Sequence, residues 1–177
     1  MTAFLPFDTE RLRLDRFTEF DIPAFVAYRS DAKTARYQGW DAPYPFADAQ
    51  ALVASQTALD GPLAGRWLQI AARRDGALIG DVAIGMSDDG TKANIGYTLI
   101  PEQRGHGLAT EAVCGVVRRL FELTQVEQIR ASLDARNVAS ARVVVRAGFA
   151  FESRAEQSVW SKGEWCDEDI YRLDRAR

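Results

Sequence analysis

The chain of 177 residues is poor in the side chains that perform metal or redox chemistry, with one histidine and two cysteines. Cys114 and Cys166 lie far apart and show no metal-ligand spacing. They are either a buried core thiol plus a second free thiol, or a disulfide, and Cys114 falls on the apolar side of an expected helix. A basic surplus is also missing: 22 Lys and Arg stand against 25 Asp and Glu, a net charge of −3. That excludes the charge pattern of a general nucleic-acid binder and suits a cationic small molecule or a peptide amine. No apolar run reaches the length of a membrane span. The opening stretch Met1–Asp8 has neither the basic segment nor the apolar core of a secretory signal, so a reducing cytoplasm is the expected home. Repeats, low-complexity tracts and linkers are absent too. With 47% hydrophobic and 27% charged residues, one globular domain over 1–177 is expected.

What is present is strong local periodicity. Glu10–Phe17 alternates, with Leu12 and Leu14 on one face, and predicts a strand. Asp21–Ser30 carries Ile22, Phe25 and Val26 at helical spacing, and a second helix is expected from about Asp48 to Leu59. Strands follow at Arg66–Arg73, Leu78–Met86 and Ala93–Ile100, with hairpin signals at Asp75-Gly76 and Asp88-Asp89-Gly90. A long helix begins near Leu108, where Leu108, Ala112, Val113, Val116, Val117, Leu120 and Phe121 form one stripe. Gln128–Asp134 alternates again, and Asn137–Ala147 reads as a helix capped by Asn137 and stopped by Gly148. Phe149–Val159 and Asp169–Leu173 supply two last strands. This order predicts an α/β (α+β) domain: a mixed, mostly antiparallel sheet of about seven strands with helices on both faces.

The richest stretch is Pro101-Glu102-Gln103-Arg104-Gly105-His106-Gly107-Leu108-Ala109-Thr110-Glu111. Glycines that feed a helix N-terminus expose backbone N–H groups which the helix cannot satisfy. The positive end of the helix dipole points the same way, so the place suits a phosphate. A nucleoside-triphosphate loop needs Lys and Ser or Thr after its last Gly, but Leu108-Ala109 stand there. A dinucleotide fingerprint needs a third Gly, and Thr110 takes that position. Further on, Asn137 and Ser140 share one face at the start of the next helix.

These residues together resemble the GNAT superfamily of acyl-CoA-dependent N-acetyltransferases. The closer likeness is to the branch holding ribosomal-protein N-terminal Ala and Ser acetyltransferases. The resemblance spans almost the whole chain, from Thr9-Glu10-Arg11-Leu12-Arg13-Leu14, through Ile95-Gly96-Tyr97-Thr98-Leu99-Ile100-Pro101 and Arg104-Gly105-His106-Gly107-Leu108-Ala109-Thr110-Glu111-Ala112, to Asn137, Ser140 and Gly148-Phe149. Gly163-Glu164-Trp165, Asp167 and Tyr171 match at the end. The resemblance implies acetyl-CoA as cosubstrate, no metal, and a primary amine as acceptor, in a monomer or homodimer. It implies a gap between splayed parallel strands, Asn94–Ile100 and Gln128–Asp134. The backbone of Arg104, Gly105, His106, Gly107, Leu108, Ala109 and Thr110 would hold the pyrophosphate. Thr98, Leu99 and Ile100 would pair with the pantetheine arm, Asn137 would touch it, and Ser140 would give a proton to the departing thiolate.

The chain departs from the family at two places. Glu102 stands where Gln or Arg is frequent, and Asn94 where many relatives carry Glu. Asn cannot act as a base, which leaves water or another carboxylate, Asp81 or Glu156, to deprotonate the amine. His106, the only histidine, is the variable residue between two glycines and is not expected to be that base. Trp160 and Trp165 are either packing residues or a wall of the acceptor site or of a dimer contact. Tyr37, Trp40 and Tyr44 either pack together or line the acceptor groove.

Overall fold

The computed structural model describes residues 3 to 176. Met1 and Thr2, at the head of the stretch read as no secretory signal, lie outside the described residues. The strands are β1 (Phe7–Asp8), β2 (Arg13–Arg16), β3 (Trp67–Arg74), β4 (Ala77–Met86), β5 (Lys92–Leu99), β6 (Gln128–Asp134), β7 (Ala150–Ser161) and β8 (Glu164–Asp174). The helices are α1 (Ile22–Arg29), α2 (Ala32–Ala35), α3 (Phe46–Gln56), α4 (Leu108–Leu123) and α5 (Val138–Arg146). One eight-stranded sheet runs β1-β2-β3-β4-β5-β6-β8-β7, a strand more than expected. The strand β1 has two residues, too few for alternation to show in a sequence.

Helices cover both faces. On one, Phe25 and Tyr28 of α1 and Ala49 and Val53 of α3 pack on Ala71 of β3 with Phe17. On the other, the stripe of α4 packs against Leu14, Ile70, Val82, Ile84 and Ile129, and Val144 of α5 joins the same core. Each fully buried Leu, Ile or Phe there contributes roughly 1.5–3 kcal/mol. Gly115 lets α4 come close to the sheet edge, since a Cβ there would sit 2.9 Å from Thr9 Cγ2 and 3.1 Å from Phe7.

The expected strands and helices recur with shifted ends. The hairpin β7–β8 is longer than predicted, and α2 adds a helix whose four residues carry no readable period. The thiols exchange places relative to the simple expectation. Cys114 is exposed and Cys166 buried, and both are free. Cys114 lies two residues from both Ala112 and Val116, so it stands roughly 200° around the helix from the buried stripe.

Among the described residues no helix is long and apolar enough to cross a membrane.

Candidate active site

The cleft begins where β5 and β6 part. They pair in parallel at Lys92–Gln128, Ala93–Ile129 and Asn94–Arg130, and no further. Beyond Asn94 the side of β5 that faces β6 has no strand partner among the described residues, while the other side continues its ladder with β4 to Leu99–Gly80. Ile100 N–H donates to Ile79 O at 2.9 Å. Strand alternation therefore turns the Leu99 N–H the opposite way, into the gap. The Leu99 carbonyl accepts from Arg104 Nε at 2.9 Å and Nη2 at 2.8 Å. Thr98 is buried.

At the mouth of the gap a 3-10 turn, Pro101–Gln103, leads into the glycine loop. Gly107 is the N-cap of α4 with φ 78° and Gly105 has φ 79°, both in the region where a side chain is strained. A Cβ on Gly105 would meet nothing within 4 Å, so the loop turns its bare backbone outward. The Arg104 N–H is engaged with Pro101 O at 3.2 Å, and its guanidinium also donates to Thr34 Oγ1 at 2.7 Å. The open donors therefore start one residue later than Arg104. From Gly105 through His106, Gly107, Leu108 and Ala109 to Thr110, no backbone N–H has a protein partner among the described residues. Glu111 N, donating to Gly107 O at 3.0 Å, is the first bond of the helix.

The loop is braced from the far edge of the sheet. Arg11 Nη1 donates to His106 O at 3.0 Å, and Arg11 Nε to Glu111 Oε2 at 2.6 Å. Glu111 Oε1 also accepts from Thr9 Oγ1 and from Arg11 N. Burial alone would raise the Glu111 carboxyl, but these bonds outweigh it and hold the group below its ordinary value. Nothing in the alternation around Leu12 and Leu14 announces this brace. Its sequence traces are single residues far apart, Arg11 between β1 and β2 and Glu111 in the first turn of α4.

The second part of the site is the first turn of α5. Asn137 caps it, its Oδ1 accepting from Ser140 N at 3.2 Å. Ser140 is half-buried. Tyr97 of β5 reaches the same turn: its hydroxyl lies 2.7 Å from Ser140 Oγ and 2.8 Å from Ser140 O. The sequence pattern gave Tyr97 no role, although a phenol on the inward face between Ile95 and Leu99 is a polar tip that needs a partner.

The end of the cleft beyond Asp134 is rimmed by three segments. Arg136 donates to Asp134 Oδ1 at 2.9 Å, to Asp134 Oδ2 at 2.7 Å and to Glu164 Oε1 at 2.7 Å, and its guanidinium lies 5.8 Å from the Tyr37 ring. Lys162, in the β7–β8 turn, donates to Trp40 O at 2.6 Å and approaches Asp41 Oδ1 at 3.3 Å. Trp160 and Trp165 pack edge to face with centroids 5.6 Å apart, and both stay more than half exposed.

Tyr37 does not join Trp40 and Tyr44. Those two, with Phe25, surround Arg29, whose guanidinium carbon lies 4.0 Å from the Trp40 ring centre and 4.2 Å from that of Phe25.

Asp81 is engaged. Its carboxylate accepts from Tyr28 Oη and Gln69 Nε2 and lies 3.6 Å from Arg29 Nη2, with 2% exposure. Burial raises its pKa against the pull of Arg29. These three partners commit the Asp81 carboxylate to a buried network. Glu156 stands exposed on the edge strand β7. His106 is exposed, and its carbonyl, which Arg11 holds, is its link to the loop.

Splayed strands, a backbone cradle at a helix N-terminus and a hydroxyl on the facing helix define a site for a long phosphate-bearing thioester and an amine. These are the parts of an acyl-CoA N-acetyltransferase. Residues 11–150 match the family model described as the acetyltransferase (GNAT) domain, and the chain belongs to that family. It is thus an acetyl-CoA-dependent N-acetyltransferase. It is 29% identical over 172 residues to an uncharacterized N-acetyltransferase, YoaA, of Bacillus subtilis strain 168, covering 96% of this chain and 97% of that one. RimL, a ribosomal L7/L12 alpha-N-protein acetyltransferase solved with coenzyme A, superposes with a TM-score of 0.82 at 17% identity, over 94% of this chain and 95% of that one. Spermidine N-acetyltransferase from Vibrio cholerae, solved with CoA and spermine, gives 0.80 at 16% identity, over 93% and 95%. These two likenesses speak for the fold. Acetyl-CoA is the cosubstrate, and no group of His, Cys, Asp or Glu among the described residues is arranged to hold a metal ion.

Proposed function

We propose that this acetyltransferase acts on the N-terminal amine of a protein or peptide, which attacks the thioester directly. A thioester is already activated, so the site needs proximity, a donor for the oxyanion, a neutral amine and a proton for the thiolate. In this reading the amides from Gly105 to Thr110 take the pyrophosphate, with Arg104 acting as a brace through its side chain. Thr98, Leu99 and Ile100 form the edge along which pantetheine lies, and the Leu99 N–H is its free donor. Asn137 flanks that arm and Ser140 meets the sulfur.

The observation that carries the choice of acceptor is the missing base. Asn94 replaces the carboxylate, and Asp81 is locked by Tyr28, Gln69 and Arg29. An α-amine has a pKa of about 7.7–8.0, so a good part of it is neutral near pH 7.5 without help. A lysine-like amine, at about 10.4, is almost wholly charged there and depends on a base. The rim agrees: Asp134 and Glu164 are paired with Arg136 and Asp41 with Lys162, leaving these carboxylates engaged rather than set for a polyamine. That RimL acts on a protein N-terminus supports the same reading.

A small-molecule amine is the second reading, favoured by the spermidine enzyme's similar fold. Thiol release from acetyl-CoA, measured with peptides starting in Ala or Ser and with spermidine and an aminoglycoside, separates them. The peptides are expected to turn over, with kcat/KM rising through a midpoint near pH 8 and levelling about one unit higher as their amines lose a proton. Turnover of spermidine alone would overturn the choice of acceptor. Tight acetyl-CoA binding with no turnover on any amine would make the chain a CoA-binding module.

A further inference from the structure

Both hydroxyl contacts of Tyr97 fall on one residue. The phenol donates to the Ser140 carbonyl at 2.8 Å, and Ser140 Oγ donates to the phenol oxygen at 2.7 Å. A phenol carries one proton and a carbonyl only accepts, so this pairing fixes both directions. The Ser140 proton points at Tyr97, and the Ser140 lone pairs point away from it. A group meant to meet a departing thiolate therefore starts with its proton turned aside.

The same pair holds the remedy. The Ser140 O–H can turn toward the sulfur if the Tyr97 O–H turns from the carbonyl to the Ser140 oxygen. The carbonyl is not orphaned, because in α5 it also accepts the helical bond from the Val144 N–H. Two hydroxyls rotate and no covalent bond breaks. Ser140 then donates to the thiolate while receiving a bond from Tyr97, and each bond strengthens the other.

We propose that Tyr97 is a positioning residue that acts through Ser140, switching the serine between a resting and a donating hydroxyl direction. The proposal rests on the reading of Ser140 as the group that meets the sulfur. Burial pushes the Tyr97 hydroxyl up to about 12 against the lowering effect of Ser140. The phenol thus remains a donor throughout the working range. The ring alone does not require the hydroxyl: Tyr97 packs with the apolar core beside Ile95 and Leu99, where Phe has the same shape.

The test uses the whole chain as Tyr97→Phe, Ser140→Ala and the double variant, each loaded with CoA. The bound thiol is titrated by the ultraviolet absorbance of its thiolate, which needs no acceptor. Ser140→Ala is expected to raise the thiol pKa by about one unit, a tenfold loss of thiolate. Tyr97→Phe raises it comparably with CoA affinity changed less than about twofold, and the double variant moves it no further than Ser140→Ala. A merely structural tyrosine would shift affinity and melting temperature and would add to Ser140→Ala. If Ser140→Ala shifts the thiol and Tyr97→Phe does not, or if the shifts add, this inference falls alone. If Ser140→Ala leaves the thiol unmoved, the reading of Ser140 falls with it.

Discussion

Arg11 and Glu111, one hundred residues apart in sequence, are joined through both oxygens of one carboxylate. The Arg11 backbone N–H reaches Oε1 at 2.7 Å and its Nε reaches Oε2 at 2.6 Å. Nη1 of the same guanidinium holds the His106 carbonyl. One side chain of the sheet edge thereby fixes both the glycine loop and the first turn of the helix behind it.

Removing that brace should loosen the cradle. Arg11→Ala is expected to weaken acetyl-CoA binding by about tenfold, the worth of one charge-assisted hydrogen bond. Calorimetry checks it. S-acetyl-pantetheine, which lacks the pyrophosphate, should be used equally well by parent and variant. Equal losses with both donors would tie the brace to the fold as a whole instead of to the loop.

Gly107 offers a sharper perturbation. Its φ of 78° strains any L residue by about 1–2 kcal/mol, and its backbone belongs to the open row of amides. On the protein side a Cβ would meet only Arg11 Nη2, at 3.6 Å. Gly107→Val should therefore fold and abolish measurable acetyl-CoA binding. Unchanged affinity by calorimetry would remove the loop from the binding site.

Asp21 tests stability far from the loop. Arg73 donates to both its oxygens, at 2.6 and 2.7 Å, and Thr18 donates to it twice. Burial pushes the Asp21 carboxyl up, but Arg73 and Thr18 together bring it below its ordinary value. An acid depressed in the folded state adds stability above its unfolded pKa, about 3.9, and loses it as pH falls through the folded value. Asp21→Asn should cost about 3 kcal/mol near neutrality by leaving Arg73 half-buried and unpaired. Its stability curve below about pH 4 should be flatter than the parent's. Urea unfolding across that range measures both.

Asp81 separates a structural carboxylate from a catalytic one. Asp81→Asn removes the charge beside buried Arg29, and about 3 kcal/mol of stability should go with it. At a temperature where the variant stays folded, its pH–rate profile should keep the parent's shape. A general base would instead show a loss of about 100-fold or more in kcat.

Much of this was legible because it is local. The α4 stripe, the alternation of Gln128–Asp134, the Asn137 cap and the glycine loop follow from periods and turn chemistry within a short window. The pieces that stayed hidden are short, polar or distant. The four residues of α2 hold no period. The first half of β8, Glu164-Trp165-Cys166-Asp167-Glu168, is rich in acidic residues and gains its pairing from β7, with β6 joining only at Glu168. Cys114 adjoins the apolar stripe in sequence, whereas the helix turns it outward. The Arg11–Glu111 brace and the Tyr97–Ser140 pair join elements that only the folded sheet brings together.

The parting of β5 from β6 after Asn94 leaves a strand edge open inside the sheet. Unpaired strand edges normally sit at the margin of a sheet, where any passing strand can adhere and proteins must guard against it. This chain keeps such an edge in the middle of its sheet, flanked by β6 and roofed by α4 and α5. In the proposed reading, the amides of the pantetheine arm would use that edge as a strand would. The fold thus places an adhesive surface in the interior of its sheet, away from the margin where passing strands adhere.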